Sequence, residues 1–341
     1  MIVKRRIFPF FIPHYGCEHE CVFCDQRKIS GIGEPIAVES LSEAVHEIIS
    51  DIKDTRPLEI ALYGGSFTAL PIAQQDAYLQ ATAPLIRRRP DCSIRISTRP
   101  DCIDTDSVLR LKSFGVKTIE LGAQSMCEDV LRLSQRGHSP DDVINASKAV
   151  KRSGVSLILQ MMTGLPGDCA EKSVYTAEQF VKLEPDGVRI YPAVVVSDTK
   201  LYDMWKRGAY SEHSISDAVE LCARLCVIFD EGDIPIIRLG LNPTDELSGG
   251  LAAAGAYHPA LGELVYSRVC LNMAIGFMKG IKPGSDVIIT VSKGFMSKMT
   301  GIRRENVKML INRFSLASLK VVEADIPKIS GNMPKMIVRE L

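Results

Sequence analysis

An alternation narrows the fold more than any other feature of this chain. Between residues 58 and 192, short runs rich in β-branched residues take turns with segments of helical periodicity, the pattern of parallel strands joined by crossover helices. Strands are predicted at Glu59–Tyr63, Ser93–Thr98, Val116–Gly122, Val155–Met161 and Gly187–Tyr191, after a first near Ile7–Ile12. Helix starts lie between them. Ser40-Leu41-Ser42-Glu43 opens a helix running to about Asp54, Asp104-Thr105-Asp106 one ending near Gly115, and Ser139-Pro140-Asp141-Asp142 one ending at Ser153-Gly154. The fold expected for residues 1–240 is therefore α/β, a partial (β/α)6 TIM-type barrel. Ile234–Leu239 is a further strand candidate, and Asn242–Pro259 reads as a loop. A small α+β extension over 241–341 follows, with helices at Leu264–Met278 and Arg304–Phe314 and strands at Asp286–Ser292, Leu319–Glu323 and Lys335–Arg339.

In such barrels the loops after the strands converge on one mouth, so chemistry gathers there. The motif-like segments sit at those strand ends: Gly64-Gly65-Ser66, Thr98-Arg99-Pro100, Gln124-Ser125, Gly164-Leu165-Pro166-Gly167 and Tyr191-Pro192. Upstream, His14-Tyr15-Gly16-Cys17-Glu18-His19-Glu20-Cys21-Val22-Phe23-Cys24 sets three thiols in the spacing Cys-x3-Cys-x2-Cys. Three thiolates on one short loop can wrap three corners of a 4Fe-4S cubane and leave the fourth iron without a protein ligand. The alternative is a structural zinc on the same cysteines with His14 or His19, which lacks the second ligand pair zinc usually takes farther along the chain. The other seven cysteines, among them Cys222 and Cys226 on a helical pattern, read as packing residues.

The cysteine spacing, with the aromatic Phe23 before the last thiol, resembles the radical S-adenosylmethionine (SAM) superfamily. That resemblance implies metal ligands Cys17, Cys21 and Cys24, with SAM chelated at the open iron and reductively cleaved to a 5′-deoxyadenosyl radical. Gly64, Gly65 and Ser66 suit the SAM ammonium, because glycines at a strand end let backbone carbonyls approach closely. Gly164 lies near the adenine, while Phe23, Thr98, Arg99, Gln124, Gln160, Arg189 and Tyr191 complete the cofactor candidates. More specifically, Gln124-Ser125, Arg136-Gly137-His138, Met161 to Gly167, Arg189-Ile190-Tyr191-Pro192 and Leu201 to Gly208 resemble the radical SAM region of the Elongator catalytic subunit family. Members of that family modify the wobble uridine of transfer RNA, with acetyl-CoA as group donor. The first two cysteines are closer together here than in that family, and the chain reads as a short stand-alone relative without its acetyltransferase domain. Beyond the cluster, His138, Tyr191, Tyr257 and His258 are candidates for catalysis, with Glu263 as a further substrate group.

Charge separates the two halves. Residues 261–341 hold 13 Lys or Arg against 6 Asp or Glu, a net of +7 that the rest of the chain cancels, and a basic unit suits a polyanion such as transfer RNA or another RNA. On charge alone a solvated basic face is the favoured reading over a nucleic-acid site. The expected function is a radical SAM enzyme acting on an RNA base, with a small-molecule or peptide substrate and a non-enzymatic iron–sulfur scaffold as alternatives. A reductant such as ferredoxin or flavodoxin is the expected partner. No apolar run reaches the ~18 residues of a membrane span, and the expected location is cytoplasmic.

Overall fold

The computed structural model describes residues 5–12, 17, 20–51, 56–245, 247–326 and 333–341. Seven strands form one parallel sheet: β1 (Arg6–Phe11), β2 (Leu58–Tyr63), β3 (Ser93–Thr98), β4 (Val116–Gln124), β5 (Ser156–Thr163), β6 (Gly187–Pro192) and, after the short β7 (Val194–Val196), β8 (Ile236–Leu239). The order β1-β2-β3-β4-β5-β6-β8 follows the sequence, and the sheet curls into a half-barrel. The alternation thus fixes the fold class, but Ile234–Leu239 becomes a seventh strand, paired with β6, where six were expected.

Side chains alternate along these strands and so divide the sheet into two faces. One face carries Ile60, Leu62, Ile94, Ile96, Ile119, Leu121, Leu157, Leu159, Val188 and Ile190 into the main apolar core. Five helices meet them there: α2 (Val38–Asp51) after the short α1 (Gln26–Ser30), then α3 (Ile72–Arg88), α4 (Thr105–Ser113), α6 (Pro140–Arg152) after α5 (Glu128–Leu133), and α7 (Ala170–Leu183). Asp104 and Ser139 each cap their helix with a reciprocal capping box, as their positions in the sequence predict. Beyond α8 (Lys200–Lys206), α9 (Ile215–Glu231) buries Cys222, Cys226 and Phe229 in the same core. The other face carries Glu59, Arg95, Glu120, Gln160 and Arg189, and it lines the barrel interior.

The region expected as a loop is partly ordered. After a single turn at Leu247–Leu251, β9 (Ala252–Gly255) pairs antiparallel with β7. Ala-Ala-Ala-Gly has no β-branched residue to signal a strand; the partner strand Val194–Val196 imposes it. A Cβ on Gly255, at φ +92°, would lie 2.9 Å from the Ala193 carbonyl oxygen, so the close pairing requires glycine.

In the C-terminal unit β10 (Asp286–Ser292) pairs parallel with β11 (Ser318–Ala324) and antiparallel with β12 (Met336–Glu340). Helices α10 (Leu261–Phe277), α11 (Met296–Thr300) and α12 (Glu305–Phe314) accompany this sheet. The long α10 serves two cores: Leu261, Val265 and Val269 enter the barrel core, while Cys270, Leu271 and Ala274 enter the C-terminal one. No helix among the described residues is long and apolar enough to cross a membrane.

Candidate active site

A cavity of about 1250 Å³ opens at the strand ends and reaches into the barrel. Its wall contains Cys17, Cys21, Cys24, Gly64, Gly65, Thr98, Arg99, Gln124, Gln160, Arg189 and Tyr191. Eleven residues chosen from sequence therefore converge on one space, although five strand ends and the cysteine loop supply them. His14 and His19 lie outside the described residues.

The turn after β2 owes its shape to its glycines. Gly64 and Gly65 have φ of +90° and +29°, which side-chain-bearing residues rarely adopt. The Gly65 N–H donates to Gln26 Oε1 at 2.6 Å, tying this turn to the start of α1 just beyond the cysteines. Ser66 is buried behind the wall, sharing a 2.9 Å hydrogen bond with Thr98 and accepting the Arg99 N–H at 3.2 Å. Arg99 is fixed in turn by Asp101, whose two carboxylate oxygens accept from its Nε and Nη2 at 3.0 and 2.6 Å. Gln124 holds the left-handed region at φ +66°, where β4 loses register with β5.

The three thiols are half-buried in the cavity wall. Burial, then the neighbouring Cys21, pushes the Cys17 thiol above its usual pKa, and burial does the same to Cys24. Arg136 works in the opposite direction on both. Its Nη1 donates to Cys21 Sγ at 3.0 Å and its Nη2 donates to the Gly122 carbonyl. Arg136 is only 7% exposed, and no carboxylate pairs with it among the described residues.

Several expected residues do not face the cavity. Phe23 packs with Val22, Val130 and Leu165 in a small apolar cluster under the cysteine loop. Gly164 faces the His213 ring, and its carbonyl accepts from Tyr210 Oη at 2.6 Å. His138 is buried beneath β4, with Nε2 3.1 Å from the Ala123 carbonyl; burial, then the Arg136 charge, lowers its pKa to about 3. A neutral ring against a carbonyl must donate, so His138 braces the strand end and is absent from the cavity wall. Tyr257 hydrogen-bonds the Ser248 hydroxyl at 2.9 Å, His258 accepts the Ala260 N–H at 3.0 Å before α10, and Glu263 pairs with Lys298 at 3.2 Å.

Below the mouth lies a charged network that the sequence reading missed. Glu120 is 1% exposed and accepts from Arg95, from Arg189 at 2.8 Å, from Gln160 at 2.8 Å and from Tyr63 at 3.3 Å. Glu59 takes the other side of Arg95 at 2.8 Å, together with Thr118 at 3.2 Å. Burial alone would raise the Glu120 pKa, but Arg189 and Arg95 outweigh it and hold the carboxyl below its ordinary range. Gln160 and Arg189, expected at a cofactor, are thus already engaged with Glu120.

Comparison with known proteins gives this geometry its context. The family model of the radical SAM superfamily matches residues 11–179, and the radical SAM C-terminal domain matches 185–270. The chain belongs to the radical SAM superfamily. Among relatives of this radical SAM enzyme, a tRNA uridine(34) acetyltransferase of Methanocaldococcus infernus is 31% identical over 276 residues, covering 71% of this chain and 50% of the relative. Elongator complex protein 3 of Bos taurus is 29% identical over 232 residues, with 62% and 42% covered. The chain thus spans half the length, or less, of these curated relatives. The solved structure of the archaeal Elp3 of Methanocaldococcus infernus superposes with a TM-score of 0.62 at 22% identity, covering 83% of this chain and 69% of that one, so the fold is shared.

The residues present fit the cluster that membership implies. A buried guanidinium without a carboxylate is costly unless an anion lies against it, and Arg136 is aimed at the thiol of Cys21. Thiolates carrying an anionic cluster meet that demand; three neutral thiols do not. Among the described residues no three His, Cys, Asp or Glu side chains are grouped closely enough to hold one metal ion; a cubane asks each thiolate to take a separate iron.

Proposed function

We propose that this radical SAM enzyme holds a 4Fe-4S cluster on Cys17, Cys21 and Cys24 and uses SAM to modify an RNA base. The single observation that carries the reading is the Arg136 guanidinium 3.0 Å from Cys21 Sγ, with no carboxylate partner among the described residues, in the same cavity wall as Gly64 and Gly65. When bound, the cluster supplies the electron that splits SAM into methionine and a 5′-deoxyadenosyl radical. The chain's own residues then have three tasks. The Gly64-Gly65 backbone receives the ammonium, Thr98, Arg99 and Gln124 supply polar groups around the nucleoside, and the buried wall keeps bulk water from the radical. The Glu59–Arg95–Glu120–Arg189 network closes the barrel floor as a rigid polar base, and Tyr191 stands at the end of β6 beside it.

An RNA substrate is supported by the names of the relatives and by the +7 balance of residues 261–341, which we assign to substrate binding. Anaerobic protein reconstituted with iron and sulfide, then given dithionite and SAM, is expected to release 5′-deoxyadenosine. Transfer RNA is expected to bind with an affinity that falls steeply as salt rises. A fully loaded cluster that releases no 5′-deoxyadenosine sinks the enzymatic reading; salt-independent or absent RNA binding sinks the substrate assignment.

A further inference from the structure

Arg136 is held in place far more firmly than a counter-ion requires. It follows α5, and its own N–H returns to the Leu131 carbonyl at 3.0 Å. The residues on either side, Gln135 at φ +53° and Gly137 at φ +74°, are both left-handed, and they turn the chain so that the guanidinium points inward. Gly122 leaves room for it: a Cβ there would come within 3.4 Å of Arg136 Nη2 and 3.0 Å of Gln124 Nε2.

The cysteine loop is fastened to the same turn. The Val22 N–H donates to the Ser134 carbonyl at 3.1 Å, and the Val22 carbonyl accepts the Leu201 N–H at 2.7 Å. Cys21 is therefore locked, one residue away, against the segment that presents Arg136. Arg99 also acts on the Cys17 thiol, but Asp101 neutralises it at 2.6 Å. Arg136 has no such carboxylate among the described residues, so its full charge acts on the sulfur.

From this geometry we infer that Arg136 is a positioning residue that sets the reduction potential of the cluster through its N–H on the Cys21 sulfur. Reduction passes one electron from a low-potential donor, dithionite in the assay, to the cluster, with no proton taken up, so the cluster becomes more negative by one charge. A fixed cation and a hydrogen bond on a ligating sulfur stabilise the more negative state and raise the potential. Burial of Arg136, 7% exposed, strengthens the effect, because a hydrogen bond gains in a low-dielectric surrounding.

The inference rests on the cluster reading above, and the test separates the two. Wild type, Arg136→Met and Arg136→Lys are reconstituted anaerobically, assayed for iron and sulfide, and titrated with dithionite while the EPR signal of the reduced cluster is followed. Arg136→Met is expected to disfavour reduction at least ten-fold, a drop of about 59 mV for one electron. Arg136→Lys, which keeps the charge but not the fixed fork, is expected to fall between the two. If Arg136→Met does not assemble a cluster, the lysine variant decides, and a wild-type potential in it overturns the inference. Four irons bound in Arg136→Met with an unmoved potential overturn it equally, and leave the cluster reading standing. Wild-type protein that takes up no iron and sulfide overturns both.

Discussion

Replacing Glu120 by Gln tests whether the barrel floor is a structural element. The substitution keeps the shape of the side chain but removes the charge that Arg95 and Arg189 share, and it turns one carboxylate oxygen into a donor facing donors. Arg95 retains Glu59, whereas Arg189 keeps only neutral phenols, Tyr63 Oη at 3.1 Å and Tyr191, among the described residues, and its Nε has no hydrogen-bond partner among them. Removing one member of a buried pair costs about 3–5 kcal/mol, most of it the stranded partner. At roughly 2–4 °C per kcal/mol for a large domain, Tm should fall by about 6 °C or more. Guanidinium chloride unfolding followed by circular dichroism gives the free energy directly, and Glu120→Gln/Arg189→Met should recover part of the loss because it removes the stranded cation. A loss below about 1 kcal/mol in the single variant would mean that water in the cavity screens the network, and would refute its structural role.

Other consequences can be checked in the same preparations. Cys21→Ser should abolish the iron–sulfur absorbance after reconstitution; retention of four irons per chain would remove Cys21 from the ligand set. His138 has a folded pKa of about 3 against about 6.5 unfolded, so its contribution to stability is complete above pH 6.5 and shrinks as pH falls towards 3. Wild type should therefore lose about 1.4 kcal/mol per pH unit relative to His138→Gln once below pH 6, and parallel pH profiles would contradict a buried neutral ring. Gly164→Ala meets both φ +72° and the His213 ring at 2.9 Å, and should cost about 1–3 kcal/mol by chemical unfolding. Tyr210→Phe removes the buried donor to the Gly164 carbonyl and should cost about 1–2 kcal/mol in the same assay; a neutral effect would show that water replaces it.

The β-rich runs and capping residues located strands and helices within a few positions because each is a local signal. Asp104 and Ser139, for example, cap the helices they predict. The cysteines and Gly64-Gly65 were legible because their spacing and backbone freedom belong to single loops. Arg136 was visible only within the Arg136-Gly137-His138 string that carries part of the family resemblance. Its contact with Cys21 joins residues 115 positions apart, which no local pattern encodes. The floor network did leave a trace: Glu59, Arg95, Glu120, Gln160 and Arg189 interrupt apolar strands at alternate positions, the spacing that points them away from the helices. His138, Tyr257 and His258 lie off the cavity wall for the converse reason. Histidine and tyrosine near glycine-rich loops suggest chemistry, yet each is held by a hydrogen bond to structure outside the cavity wall.

Because α10 is built into two interiors at once, one helix bolts the C-terminal unit to the barrel core. Cutting after residue 240 would pull Leu261, Val265 and Val269 out of the barrel like a withdrawn bolt. A strain applied at the three-stranded sheet is thereby passed through α10 to the barrel core beside β8, and a single cooperative melt is the expected outcome.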